Sequence, residues 1–291
     1  MAEVVSHYDA SAPTYTEQYN ESTILTAPDY PASLFRLRKV KKRVSELGLS
    51  SMYELGIGDG SPLAALGEMG LRVAGSDLSE SMLTVARAQF ESKGLDPSAL
   101  TWGDIQDRST LEEAIATGPY DGVMALGVLP HVRNEVDVIA NMSAFVGSGG
   151  SLFLHFRNSL LSLLSFNRLT MEFIQDELLR DAPVNIKDAV REGLTSRLAM
   201  DLPPKREWDV NGPAYDEILS KFHNPFELSD LVRAAGFSDI RFHWYNYHPT
   251  PPMLAGAIGQ DFRVAAVDME ADESWRGMFM CSSGVIEATK N

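Results

Sequence analysis

Followed from the N-terminus, the apolar positions change period several times. Leu34, Leu37, Val40, Val44 and Leu47 recur at helical spacing and predict one amphipathic helix. An apolar run then enters Met52 to Gly60 (MYELGIGDG), and a second, Leu71 to Asp77 (LRVAGSD), also ends in an acid. Ser79 follows as a helix cap, ahead of Met82, Val85, Ala86 and Phe90 at helical spacing. Another short strand should end near Trp102-Gly103-Asp104-Ile105. Strands and helices alternate in this way from about Ser51 to Arg157, which predicts an α/β fold with a parallel, doubly wound sheet. In such sheets ligands bind outside the carboxyl ends of the strands.

Three stretches break the alternation: residues 1–47, 158–222 and 246–276. Each is too long for a plain connector in a compact domain, so a cover over the site is expected of them. Leu160 to Leu179 reads as a helix-like run with Phe166, Arg168, Phe173 and Leu178 available to line a pocket. Such a stripe is more often core than binding site. Pro183, Pro203, Pro204 and Pro213 then prevent one long helix, so 158–222 reads as a mixed, mostly helical lid.

The chemistry begins where the first strand ends. Glu54 is followed by Gly56, Gly58 and Gly60, a sequence suited to ending a strand, turning sharply and opening a helix. Glycine tolerates positive φ and has no Cβ to block a ligand from the backbone. Dinucleotide-binding turns share this logic, but Ser61 stands where their pattern has its third glycine. A carboxylate at Glu54 would also repel a pyrophosphate and suits a ligand bearing an ammonium group. Asp77 follows Gly56 by 21 residues, where an acid can accept hydrogen bonds from a ribose diol. Asp104 can take an amino proton from adenine while Ile105 covers the ring. Any one of these acids could be a helix cap or a solvated loop residue. Three at successive strand ends point to a single nucleoside.

On these residues the chain resembles the class I S-adenosylmethionine-dependent methyltransferases, over roughly residues 48–157 and 223–282. The resemblance continues in Tyr120–Val132 (YDGVMALGVLPHV), Gly147–Phe153 (GSGGSLF) and Phe226–Ile240 (FELSDLVRAAGFSDI). It implies a mostly parallel, seven-stranded, Rossmann-like sheet with S-adenosyl-L-methionine as methyl donor and S-adenosyl-L-homocysteine as product. By the same correspondence Glu54, Gly56, Gly58 and Gly60 hold the methionine part, Asp77 the ribose and Asp104 the adenine. Ile105, Leu78 and Leu126 join them as cofactor-binding positions. The implied organisation is an N-terminal helical arm over 1–47 and a cofactor core over 48–157. A substrate-selecting lid follows over 158–222, and 223–291 returns to the core.

The acceptor side is less defined. Tyr8, Tyr15 and Tyr19 lie in an arm whose HYDASAPTY fits a tyrosine-rich pattern common in that family. They either close over substrate or pack against the sheet edge. His131, in LPHV after the fourth strand, is the first candidate to lie near the transferred methyl, either as general base or as pocket wall. His155 and His223 are comparable alternatives. Arg157, Asn158 and Tyr247 are further substrate-binding candidates, and Arg157 can pair with an anionic substrate or with the acidic lid. Methyl transfer needs a base only if the acceptor enters protonated; orientation alone supplies much of the acceleration.

Composition narrows the partners. The net charge is −15, which disfavours nucleic acid. Arg36, Arg38, Lys39, Lys41, Lys42 and Arg43 crowd one segment, but interleaved with apolar residues they read as the solvated face of the first helix. Adenine methylation of DNA is disfavoured further, because LPHV replaces the Pro-Pro-aromatic tetrapeptide of those enzymes. No carboxylate cluster suggests a metal, and none is expected. No apolar run is long enough to span a membrane, the N-terminus lacks the features of a signal peptide, and Cys281 is the sole cysteine. Together with these features, the resemblance implies a cytoplasmic enzyme that methylates oxygen or nitrogen of a small acceptor and, by family analogy alone, one of specialised or sugar metabolism. A nicotinamide-dependent oxidoreductase and a non-catalytic module that binds the sulfonium nucleoside are the alternatives.

Overall fold

The computed structural model describes residue 6 and residues 18–27, 29–198 and 218–291. Its frame is a seven-stranded sheet in the order β3-β2-β1-β4-β5-β7-β6. The strands are β1 (Ser51–Leu55), β2 (Arg72–Asp77), β3 (Leu100–Trp102), β4 (Tyr120–Ala125), β5 (Val146–Arg157), β6 (Phe237–Tyr247) and β7 (Cys281–Lys290). Neighbours from β3 to β5 pair in parallel, and β7 runs antiparallel to both β5 and β6. The carboxyl ends of β1 to β6 therefore share one edge of the sheet. Strand order reverses direction between β1 and β4, which is where a doubly wound sheet opens a crevice.

Helices cover both faces. On one lie α1 (Ala32–Leu47), α2 (Ser61–Gly67) and α3 (Glu80–Ser92), sharing a core with Met52, Met124, Phe153 and Tyr245. On the other lie α4 (Glu135–Ser143) and a later helix, Pro225–Ala234, packed against Tyr53, Val123, Leu154 and Ile286. Every residue of β1 is buried, the polar Ser51 and Glu54 among them. The predicted cap on α3 is present: Ser79 Oγ accepts from Met82 N at 3.0 Å.

Two expectations change here. The helix predicted for the N-terminal arm belongs to the core, because Leu34, Phe35, Leu37, Val40 and Val44 are buried against the sheet. Its basic face, exposed at Arg38 and Lys42 as expected, is also paired. Arg43 grips Glu287 at 2.6 and 2.8 Å, Lys42 meets Glu273 at 2.7 Å, and Lys39 donates to the Glu270 carbonyl at 2.7 Å. The partners come from β7 and from the long connection before it, so the sequence distance hid them.

The run from Leu160 to Leu179 is likewise not one helix. A short turn at Ser162–Ser165 ends at Phe166, whose φ is 53°, and Asn167 restarts the chain by capping Leu169 N at 2.9 Å. A helical turn over Arg168–Glu172 then widens into a π-helix over Phe173–Leu178. Of the four proposed lining residues only Phe173 is buried, while Phe166 and Leu178 are exposed and Arg168 pairs with Glu172 at 3.0 Å. Beyond it, α5 (Val184–Thr195) has no buried residue. No helix among the described residues is long and apolar enough to cross a membrane.

Candidate active site

The turn after β1 is pressed between β2 and the exit of β4. Gly56 N donates to Ser76 O at 2.7 Å, and a Cβ on Gly56 would lie 2.2 Å from Val128 Cγ2. Gly56, Gly58 and Gly60 all have positive φ, which takes the chain from strand to helix within a few residues. Asp59 closes the turn by accepting from Ser61 N at 3.1 Å and Ser61 Oγ at 2.6 Å. Asp77 ties it to the second strand: one carboxylate oxygen accepts from Gly58 N and the other from Ser79 N, both at 2.8 Å. Two of the sequence-predicted site positions, Gly58 and Asp77, are thus joined directly, and the cap residue Ser79 is held by the same side chain.

Glu54 lies under this turn, 1% exposed. Its Oε2 has no hydrogen-bond partner among the described residues. Burial pushes its carboxyl well above the usual range, Arg36 pulls it down, and Asp59 and Asp77 push it up again. A buried, partnerless carboxylate oxygen suits an ammonium group, so these residues fit the amino-acid end of a sulfonium nucleoside. Further along the edge, Asp104 holds a tight turn by accepting from Gln106 N at 2.9 Å. Ile105 is buried there, its carbonyl bound by Asn141 Nδ2 at 2.8 Å. Trp102 Nε1 donates to Leu78 O at 3.0 Å, linking the ends of β2 and β3, and Leu126 is buried just beyond β4.

The three candidate histidines differ in which nitrogen is committed. Gly127 N donates to His155 Nδ1 at 3.1 Å. That nitrogen is therefore the unprotonated one, and the proton sits on Nε2. His155 is buried, and desolvation with the charge of Arg36 keeps it uncharged. It can donate a hydrogen bond but cannot serve as a base, which corrects the expectation that the histidines are comparable. His131 has the opposite tautomer. Its Nδ1 faces Leu219 O at 2.6 Å, so Nδ1 carries the proton and Nε2 is the acceptor. His223 Nε2 donates to Glu135 Oε1 at 3.2 Å, and its buried Nδ1 has no hydrogen-bond partner among the described residues. Its pKa is pushed down to about 4, chiefly by burial and against the pull of Glu135. Glu135 also binds Lys221.

Known proteins match this frame. A family model described as a methyltransferase domain matches residues 53–152, from β1 into β5. A ubiquinone biosynthesis O-methyltransferase of Thiobacillus denitrificans is 31% identical over 224 residues, 76% of this chain and 78% of the relative. The chain belongs to the S-adenosylmethionine-dependent methyltransferases. A second ubiquinone biosynthesis O-methyltransferase, from Burkholderia orbicola, is 25% identical over 199 residues, 67% of this chain and 68% of the relative. The crystal structure of magnesium protoporphyrin IX methyltransferase from Synechocystis PCC 6803 with S-adenosylhomocysteine bound covers 100% of both chains. Its TM-score is 0.52 at 16% identity, a likeness of fold. As a methyltransferase the protein is an enzyme, and the nicotinamide-dependent and non-catalytic alternatives drop out.

On the acceptor side, the methyltransferase departs from the sequence reading at several residues. Asn158 is fully buried and its amide is spent on backbone. Nδ2 donates to Met278 O at 2.8 Å and Cys281 O at 2.9 Å, while Oδ1 accepts from Leu160 N at 3.2 Å. That makes it a strut between β5 and the turn before β7 rather than a substrate contact. Arg157 stacks 4.0 Å over the Phe222 ring and donates to Ser220 Oγ, both on the segment that precedes the helix Pro225–Ala234. Tyr247 is 1% exposed and its hydroxyl donates to Asp272 O at 2.6 Å. Tyr19 lies with its hydroxyl 3.5 Å from Arg36 Nη2. Tyr8 and Tyr15 lie outside the described residues.

Arg36 is the residue the sequence reading missed. It is only 5% exposed, and its charge bears on Glu54, His155 and Tyr245 alike. A Cβ on Gly127 would lie 3.5 Å from its Nη1. A sign was available, since Arg36 precedes Val40 by four residues and so shares the apolar face of α1. Its guanidinium can hold a carboxylate beside Glu54. Among the described residues there is no group of three His, Cys, Asp or Glu able to hold a metal ion.

Proposed function

We propose that this methyltransferase moves the methyl group of S-adenosyl-L-methionine to an oxygen of a small hydroxylated acceptor, with S-adenosyl-L-homocysteine as product. The observation that carries the reading is the opposed tautomers of His131 and His155 beside the exit of β4. One offers an acceptor nitrogen and the other an N–H donor, which suits a hydroxyl that must lose its proton as it attacks. The relatives named as O-methyltransferases support it.

The donor, when bound, supplies an electrophilic methyl on a positively charged sulfur that leaves as a neutral thioether. Glu54 would take the ammonium of the methionine part and Arg36 its carboxylate, with the glycine turn presenting backbone along it. Asp77 would take the ribose diol and Asp104 the adenine amino group, with Leu78, Ile105 and Leu126 against the ring. His131 Nε2 would accept the hydroxyl proton of the acceptor while His155 Nε2–H donates to the same oxygen. The new C–O bond forms as the C–S bond breaks, and the proton passes from His131 to solvent.

The test is methyl transfer from labelled donor to a panel of phenols, catechols and sugar hydroxyls, with products located by mass spectrometry. His131→Ala should lower kcat by about 100-fold or more while S-adenosylhomocysteine affinity holds within a few-fold. Near-normal turnover at saturating acceptor, or products methylated solely on nitrogen, would reject the assignment.

A further inference from the structure

The chain that enters the helix Pro225–Ala234 first crosses the exits of β4 and β5, and its side chains alternate between two charged groups. Lys221 Nζ and His223 Nε2 both reach Glu135 at the start of α4, the histidine at 3.2 Å. Ser220 and Phe222 meet Arg157 at the end of β5 instead. Successive side chains facing opposite ways are the mark of an extended chain. Main-chain bonds tie the same stretch to both strand exits. Lys221 N donates to Pro130 O at 2.8 Å, His223 N to Arg157 O at 2.6 Å, and Ser159 N to His223 O at 3.0 Å.

Two residues ahead of Lys221, Leu219 O accepts from His131 Nδ1 at 2.6 Å. That carbonyl decides which ring nitrogen of His131 carries the proton. The Leu219 side chain is 40% exposed and does little to hold it; Ile218 is buried on one side, and Lys221 is bound to Glu135 on the other. Glu135 offers a fixed anchor. It lies in the first turn of α4, where a carboxylate is favoured, next to the Asn134 cap that accepts from Val136 N at 3.0 Å.

We infer that Glu135 is a positioning residue for methyl transfer: by holding Lys221 and His223 it sets Leu219 O against His131 Nδ1 and leaves the acceptor lone pair on Nε2. The inference rests on the reading of His131 as the base and adds what fixes its tautomer. A histidine side chain in water favours the proton on Nε2. Displacing Leu219 O therefore returns the ring to the form that cannot accept from a hydroxyl.

The experiment is nitrogen NMR on the full chain with isotopically labelled histidine, saturated with S-adenosylhomocysteine. Steady-state kinetics on the best hydroxylated acceptor of the panel above accompany it. The His131 signals, identified by their loss in His131→Ala, should show a single Nδ1–H tautomer in the unaltered chain. In Glu135→Ala the Nε2–H form should dominate. There kcat should fall by about tenfold or more, with acceptor KM and S-adenosylhomocysteine affinity within about threefold. Glu135→Gln, whose amide oxygen still accepts from His223, should keep part of the native tautomer and part of the turnover, and it decides the matter if the alanine variant fails to fold. A His131 tautomer unchanged by these substitutions would overturn the inference, whatever happens to turnover. If the tautomer shifts and kcat holds, Glu135 still positions His131, and the reading of His131 as the base falls instead.

Discussion

At the residue scale, the turn after β1 can be tested with a single methyl group. Gly56 has a φ of 75°, and an added Cβ would lie 2.2 Å from Val128 Cγ2. Gly48 has a similar φ of 65° but nothing within 4 Å of a Cβ. Gly48→Ala therefore carries only the conformational penalty, about 1 kcal/mol, and should leave the affinity for S-adenosylhomocysteine intact. Gly56→Ala carries the same penalty plus a clash that must move Val128, for a total of about 2–4 kcal/mol. It should also weaken S-adenosylhomocysteine binding by about tenfold or more, measured by calorimetry on the folded protein. Equal affinity in both variants would mean that the turn does not shape the donor site. The proposed donor half of the site could be read from local pattern: Glu54, three glycines, Asp77 and Asp104 follow one another at strand ends. Arg36 was obscured by five other basic residues nearby, although its place on the apolar face marked it as different.

At the scale of elements, the exit of β5 is held by one side chain. Asn158 joins the turn before β7 to the segment that follows β5, and the chain returning towards β6 pairs beside it through an isolated bridge from Asn158 to His223. Asn158→Ala leaves buried carbonyls at Met278 and Cys281 without their donor and should cost about 2–4 kcal/mol in urea unfolding. A normal unfolding midpoint with a raised acceptor KM would instead make Asn158 a substrate contact. The sequence could not reveal this strut, because its partners lie 120 and 123 residues away. The break at Phe166 was hidden for another reason. Apolar spacing continues through it at helical period, and only the Asn167 cap signals that a new helix starts.

For the whole molecule, buried titratable groups set the response to acid. His223 and His248 fall from 6.5 to about 4 in the folded chain, mainly through burial. Glu287 falls from 4.5 to about 2, because hydrogen bonds and charge from Arg43 and His243 outweigh its burial. In each case the unfolded chain binds the proton first. The histidine contribution is complete above about pH 6.5 and is lost as pH falls towards 4, while that of Glu287 is lost between about 4.5 and 2. Allowing for solvent screening, each histidine accounts for about 1–2 kcal/mol. The melting temperature should therefore drop steadily between pH 7 and pH 5, and His248→Gln should make that slope shallower. A slope unchanged by the substitution would place the acid sensitivity elsewhere. The topology of the cofactor half followed from alternating strands and helices, but the clasp between α1 and residues 270–287 could not be read from the chain. It joins positions more than 200 residues apart.

The order β5-β7-β6 has a consequence for the growing chain. β6 leaves the ribosome before the strand that will separate it from β5, so it waits without a hydrogen-bonded neighbour until Cys281–Lys290 has been made. The proposed donor crevice can assemble early, from strands already paired. The β6 side of the sheet takes shape last, when the final strand slides between two others and locks them into register.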